Sequence, residues 1–432
     1  MSSSGPRRAL GAGANVVVIF SLSGVSPAHA YLDPGSGSML LYALAGMAAA
    51  LAYTVRGLFH RVVNFLAGAG SRDIDSTGKE LVFYSEGGHY WNVFSPVISA
   101  LERKGAECAY FTSDESDEGL QYDSPCVSAR YIGGEARSAA FLNRLSASLV
   151  VMTTPQLGIF RLKRSKDVRH YAHLVHAPTD ALIYKRYAFD HFDSVLCSGS
   201  HQMKSIRELE AKRGVSEKKL FETGVTYYDT MLAKQQTIDV GEKTPGSTVL
   251  VAPTWGANGL LTRYGSACIR PLLDSGYKVL LRPHPQSYLS QPEMMKEIED
   301  DLKGFHNLTI DRSPSGAPAM ASSDMMMSDL SGIIFDYAFL FSKPVVVVAC
   351  DVERGGFEAE YVEREIWEVQ AREKIGRVIN EDDFPLLPAI VDEMLLSFEA
   401  TDIEEFRKRS LYNFGHAGET AANQLLEILN RG

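Results

Sequence analysis

Ser328-Asp329-Leu330-Ser331-Gly332 puts two hydroxyls, a carboxylate and a glycine into five residues. Behind them runs the apolar stretch 333–341, closed by Lys343-Pro344 and the β-branched run 345–348. This spacing predicts strand, polar turn, buried helix, strand, with Asp336 inside the helix. Asp329, Ser331 and Gly332 can cap the helix start and let a ligand approach the backbone. Free N–H groups and the helix dipole favour an anion there. A capped core helix with no ligand fits the same pattern. Arg282-Pro283-His284-Pro285 follows another apolar run. Its prolines hold Arg282, a bidentate phosphate donor, and His284, an acid or hydrogen-bond donor, in place. The alternative is a strand end with a surface Arg and His.

His170, His173 and His176 recur every third residue. On a strand such positions face opposite sides, so no metal site is expected. His176, last before Ala177-Pro178-Thr179-Asp180, is a candidate general base, against the alternative of a core histidine. Glu86-Gly87-Gly88-His89 follows the first predicted strand, and its glycines permit close backbone approach. The three-glycine dinucleotide spacing is absent, as are the P-loop and nucleophile-elbow patterns. Thr223-Gly224 with Tyr228-Asp229 is either a hinge or nucleotide contact, or a turn.

The elements that position these residues alternate strand and helix, so they imply parallel sheets with right-handed crossovers. Strands are predicted at 80–85, 108–111, 148–152, 173–176 and 193–197, with helices at 91–104, 136–146 and 201–213. The acidic stretch 114–118 is read as a solvated loop. A polar stretch, 235–247, separates this half from a second one. That half has strands at 248–252, 277–281 and 308–310 and helices at 267–275 and 291–303. The layout is therefore a domain over 79–235, a second over 246–385, and C-terminal helices over 386–432, where Thr401-Asp402-Ile403-Glu404 resembles a capping box. Each motif sits at a strand's carboxyl end, where two such domains enclose a cleft.

The 432 residues are 45% hydrophobic and 22% charged, enough for two cores and an appendage. A net charge of −10 argues against general nucleic-acid binding. Five scattered cysteines suit a reducing compartment. Residues 1–30 read as a signal-like or first membrane segment, with a small-x-small site ending at Ala30. Within 31–70, the uncharged run 39–55 is near the lower limit for a spanning helix, and Arg56 and Arg61 follow it. The positive-inside rule then places everything after Arg56 in the cytoplasm, on the inner face of the cell membrane. An amphipathic surface anchor is the alternative.

Taken together, the motifs resemble those of the CDP-glycerol glycerophosphotransferase family, which primes or polymerises teichoic acid-type polymers. Residues 328–337 with Lys343-Pro344 resemble its S-D-x-S-S-x-x-F-D-Y…[KR]-P motif. Arg282 to Pro285 resembles R-x-H-P, Ala252-Pro253-Thr254-Trp255 resembles A-P-T-W, and Thr223-Gly224 with Asp229 resembles T-G-x-P-R-x-D. Val175-His176-Ala177-Pro178-Thr179 stands where the family has W-H-G-T-P, without the tryptophan and glycine. The resemblance implies an α/β fold of the GT-B-like type, two Rossmann-like domains with a cleft between them. It implies transfer of glycerol phosphate, or a related polyol phosphate, from a CDP-alcohol to a lipid-linked or glycan acceptor, with CMP leaving; the sequence has no visible acidic metal cluster, so a reaction without metal or cofactor is expected. His176 and His284 would be catalytic. Arg282, Thr254, Ser328, Asp329, Ser331, Gly332, Asp336 and Gly224 would hold the donor, and Glu86, Gly87, Gly88 and His89 would face the acceptor. A GT-B glycosyltransferase or epimerase using a UDP- or CMP-sugar, and a non-catalytic nucleotide-binding envelope-assembly protein, remain open on the same residues.

Overall fold

Apolar runs such as Leu81-Val82-Phe83-Tyr84 lack polar alternation because they are buried on both sheet faces, and such strands need helices above and below. The computed structural model describes residues 80–235 and 247–431. They form two all-parallel sheets. In the first, β1 (Leu81–Ser85), β2 (Cys108–Thr112), β3 (Val127–Tyr131), β4 (Ala147–Met152), β5 (Val168–Leu174), β6 (Ser194–Cys197) and β7 (Lys219–Glu222) lie in the order β3-β2-β1-β4-β5-β6-β7. In the second, β8 (Thr248–Val251), β9 (Lys278–Leu281), β10 (Leu308–Ile310), β11 (Met325–Ser328), β12 (Val345–Val348) and β13 (Gly376–Ile379) lie in the order β10-β9-β8-β11-β12-β13. Both orders reverse at the first strand of the sheet, the switch point outside which ligands bind in doubly wound folds.

The structure corrects several sequence expectations. β3 was not expected, because none of its residues is fully buried; it is an edge strand that pairs with β2 alone. β5 starts at Val168 and ends at Leu174, so His176 lies just beyond the strand. The single helix expected over 267–275 is split into turns at Gly265–Cys268 and Arg270–Asp274, with Pro271 at the second start. Helix Ala400–Ser410 begins before Thr401, so no capping box forms there. The acidic loop is not wholly solvated: the Asp117 carboxylate is buried and accepts from the Tyr110 hydroxyl and the Gly119 N–H, both at 2.8 Å.

The final helix, Ala417–Asn430, returns to the first sheet. Ala421, Ala422, Leu425 and Ile428 pack with Leu81, Phe83, Val97 and Leu101. Asp229 caps that helix, accepting from Gly418 N–H at 2.7 Å and Ala417 N–H at 3.3 Å. No helix among the described residues is long and apolar enough to cross a membrane. The segments 1–30 and 31–70 read as membrane-associated lie outside the described residues.

Candidate active site

At the carboxyl edge of the first sheet, β1 runs into Glu86-Gly87-Gly88-His89, and β5 runs into His176. The loop is held by Gly88 N–H donating to Asp114 at 2.9 Å. Tyr90 bridges the two segments. Its ring lies 4.0 Å from His89 and 5.2 Å, edge-on, from His176, and its hydroxyl faces Glu86. Burial, and then the charge of His89, push the His176 pKa down to about 4. The imidazole is therefore neutral near pH 7, the form a general base needs. Its Nδ1 is buried without a hydrogen-bond partner. The three regularly spaced histidines go separate ways: His170 Nε2 meets Ser194 Oγ at 2.9 Å, while His173 is buried against Phe189 and Phe192.

The loop after His176 is clamped from both halves. Gln202 donates to the carbonyls of Ala177 and Thr179, at 3.1 and 2.7 Å, and His201 Nε2–H donates to Pro178 O at 2.7 Å. His201 in turn stacks on Trp367 of the second half, with centroids 4.2 Å apart. The fully buried Asp180 carboxylate accepts from Trp367 N–H at 2.9 Å, Ser205 Oγ at 2.5 Å and Arg364 at 3.4 Å. Asp180 N–H donates to Glu368 at 2.7 Å. A methyl group placed on Gly332 would meet only Thr179 Cγ2, at 3.7 Å. The loop carrying the candidate base thus reaches the turn that opens helix Ile333–Phe341.

On the second sheet the site residues divide into exposed and internal ones. Gly332 is exposed and Ser331 half-buried. The helix they open has no side-chain cap; Ile334 N–H and Phe335 N–H donate to Ser331 O and Gly332 O at 3.2 and 3.1 Å, which leaves the N–H groups of Gly332 and Ile333 to a ligand or solvent. Asp329, expected at that cap, is turned away. Its buried carboxylate accepts from Thr254 N–H at 2.9 Å and Leu260 N–H at 2.8 Å, so it ties β11 to the loop after β8. Facing the diphosphate with it would set like charges together. Ser328 Oγ is also internal, donating to Ala252 O at 2.7 Å. Asp336 accepts from the Tyr228 hydroxyl at 2.9 Å, and burial raises its pKa to about 6; it joins two helices. Gly224 has φ +102°, and a methyl group there would run into Tyr412 O, so the packing of the C-terminal segment requires the glycine. All four, expected to hold the donor, make structural ties within the protein.

Arg282 is committed too, to Asp311 at 2.5 Å and to the Ser313 carbonyl at 2.9 Å. Thr254 and the exposed Trp255 follow β8, and the Trp255 ring lies 6.2 Å from that of His284. His284 is exposed and caps helix Pro285–Ser290 by accepting Gln286 N–H on Nδ1 at 3.1 Å. Partial burial lowers its pKa. In its neutral form the proton therefore sits on Nε2, which is free to donate to a phosphate oxygen.

Residues 137–361 match the family model for CDP-Glycerol:Poly(glycerophosphate) glycerophosphotransferase. The chain belongs to this family. Membership makes it a transferase of the CDP-glycerol glycerophosphotransferase type. Structures of the wall teichoic acid polymerase TagF are similar, one with a TM-score of 0.56 at 16% identity over 88% of this chain and 97% of that one. A UDP-GlcNAc 2-epimerase from Neisseria meningitidis, bound to UDP-GlcNAc, gives a TM-score of 0.51 at 13% identity over 82% of this chain and 100% of that one. A putative UDP-N-acetylglucosamine 2-epimerase from Listeria monocytogenes gives 0.51 at 12% identity, covering 81% of this chain and 95% of that one. At such identities these likenesses show the fold, GT-B-like. No curated protein sequence matches the chain.

The family match spans His176, Arg282, His284 and the 328–337 stretch but not Glu86–His89. Sequence reasoning missed Tyr90, His201, Trp367 and Glu368, which contact His176 or the loop after it from outside the motifs. Only Tyr90 had a signal, its place beside Glu86-Gly87-Gly88-His89.

Proposed function

We propose that the chain transfers glycerol phosphate, or a related polyol phosphate, from a CDP-alcohol to a lipid-linked or glycan acceptor in envelope polymer synthesis, releasing CMP. The acceptor hydroxyl attacks the distal phosphorus in line while His176 takes its proton. The bond from phosphorus to the bridging oxygen breaks, and CMP leaves with that oxygen. His284 Nε2–H and the open N–H groups at Gly332 offset charge on the phosphates. Glu86, His89 and Tyr90 face the acceptor.

The observation that carries this reading is the neutral His176 at the first sheet's edge, on a loop whose Thr179 abuts the uncapped helix start of the second. In this reading base and anion site stand on opposite walls of one cleft. TagF, a polymerase of wall teichoic acid with the same fold, supports the substrate class. Segments 1–30 and 31–70 would hold the catalytic halves on the cytoplasmic face of the membrane, where a lipid-linked acceptor is presented.

The test is radiolabelled CDP-glycerol with and without membrane lipid extract. CMP release that requires the acceptor, with label moving into lipid or polymer, is expected. UDP release from a UDP-sugar, or donor binding without turnover, overturns the proposal.

A further inference from the structure

Two aromatic rings lie edge-on to the His176 imidazole, Tyr90 at 5.2 Å and Tyr184 at 6.1 Å. Tyr184 follows the helical turn Ala181–Ile183, and none of the motifs quoted above contains it. Its ring also packs on Phe189 at 4.9 Å and edge-on to His173 at 5.8 Å. The Tyr184 hydroxyl is buried with no hydrogen-bond partner, so what this residue offers His176 is its ring.

The grip on Tyr184 comes from the other half of the molecule. After β12, residues 354–358 run across to it. Glu358 N–H donates to Tyr184 O at 2.8 Å, and Arg186 N–H donates to Gly356 O at 3.2 Å. Between these bonds Lys185 and Phe357 form an antiparallel bridge, with Lys185 Nζ 3.7 Å from the centre of the Phe357 ring. The buried Glu358 carboxylate accepts from Ala188 N–H at 2.8 Å and pairs with Arg213, which also holds Asp190 at 2.7 Å. The Arg213 guanidinium lies over the rings of Tyr187 and Tyr361, one from each half. Residues 184–190 are therefore fastened to the second half by main chain, charge and ring contacts together.

Burial is the main cause of the low His176 pKa, with the charge of His89 second, and water reaching the ring would return it toward its ordinary value. The other titratable groups around it do little to oppose this. His173 is buried and neutral, Glu86 faces Tyr90, Cys197 faces Tyr184, and the Glu358 carboxylate is taken up by Ala188 and Arg213. We infer that Tyr184 is a positioning residue for the candidate base, a cover on the His176 ring that the 354–358 strap of the second half holds in place. The inference rests on the reading above for the role of His176. It couples the two halves at the base itself, because loosening the strap admits water to the imidazole.

The test is an NMR titration of the full chain with ring-labelled histidine, the His176 signal being identified by its loss in His176→Ala. The wild-type midpoint should lie toward pH 4. In Tyr184→Ala it should move up toward the ordinary value of about 6.5, and in Phe357→Ala, on the strap, it should move the same way by less. Tyr184→Phe should titrate like wild type and melt no lower, because the hydroxyl it removes has no partner. A merely structural role for Tyr184 would lower the melting temperature of Tyr184→Ala and leave the midpoint where it was. CMP release by Tyr184→Ala should be about 10-fold below wild type at about pH 5.5, where an exposed imidazole is mostly protonated, and should recover as the pH rises. An unchanged midpoint in Tyr184→Ala overturns the inference, as does a Tyr184→Phe that titrates like Tyr184→Ala. If Tyr184→Ala does not fold, an unchanged midpoint in Phe357→Ala overturns it. Midpoints that move as expected beside normal CMP release in His176→Ala uphold the cover and remove His176 as the base. CMP release lost in His176→Ala, with every variant titrating like wild type, leaves the base standing and overturns the cover.

Discussion

Replacing Asp180 by alanine tests whether one buried carboxylate braces the loop behind the candidate base against both halves of the molecule. The magnitude follows from what each donor would do without it. Ser205 Oγ already has His201 O at 2.9 Å, so its loss is small. Arg364 keeps Glu208 at 3.0 Å and is partly solvated. Trp367 N–H, bonded to Asp180 at 2.9 Å, and Leu182 N–H, at 3.3 Å, are left without their acceptor. An orphaned buried N–H costs about 1–3 kcal/mol, and breaking a buried ion pair from one side about 3–5 kcal/mol. Because Arg364 has a second partner, the low end applies, about 3 kcal/mol. At roughly 2 °C per kcal/mol for a chain of this size, the melting temperature should fall by about 6 °C. Asp180→Asn keeps one acceptor oxygen and should lose about half as much. Turnover should fall at least about 10-fold in Asp180→Ala, since a loop displaced by an ångström misplaces the base. Thermal unfolding and CMP release on the same preparations measure both. A melting temperature within about 1 °C of wild type would refute the bracing argument.

Three further outcomes are expected. Burial, and then the charge of Asp180, raise the Glu368 pKa to about 8, so the folded state holds a proton the unfolded state gives up. The stabilisation is full below the ordinary carboxyl pKa and is lost as pH rises through about 8. Wild type should therefore lose stability relative to Glu368→Gln across that window, and parallel pH curves for the two proteins would contradict this. His176→Ala should lower turnover about 10²-fold or more, and the step His176 contributes to the wild-type pH–rate profile should lie toward pH 4 rather than near pH 6.5. A normal rate in His176→Ala removes it from the mechanism. Gly224→Ala, at positive φ and against Tyr412 O, should cost about 1–3 kcal/mol in urea unfolding. Gly332→Ala, with φ −57° and open space, should cost nothing, and equal losses in the two would be inconsistent with the packing described.

The sequence by itself determined the α/β class, the separation into two halves, and the family. These rest on local signals: doubly buried strands are continuous apolar runs, and the turns after 281 and 328 need Pro, Ser and Gly at fixed spacing. It also brought His176, His284 and Gly332 to the ends of their elements. Tertiary structure alone decided which polar groups face the cleft. Asp329 and Ser328 differ from Ser331 only in which way the chain turns after β11, and that direction is set by Thr254 and Leu260, about 70 residues earlier in the chain. Arg282 follows β9 as a phosphate donor would, but Asp311, 29 residues later, stands beside it and takes its guanidinium. A hydrogen bond is spent on the nearest partner in space, and that partner is invisible in sequence until the strands are ordered and the last helix has returned to the first sheet.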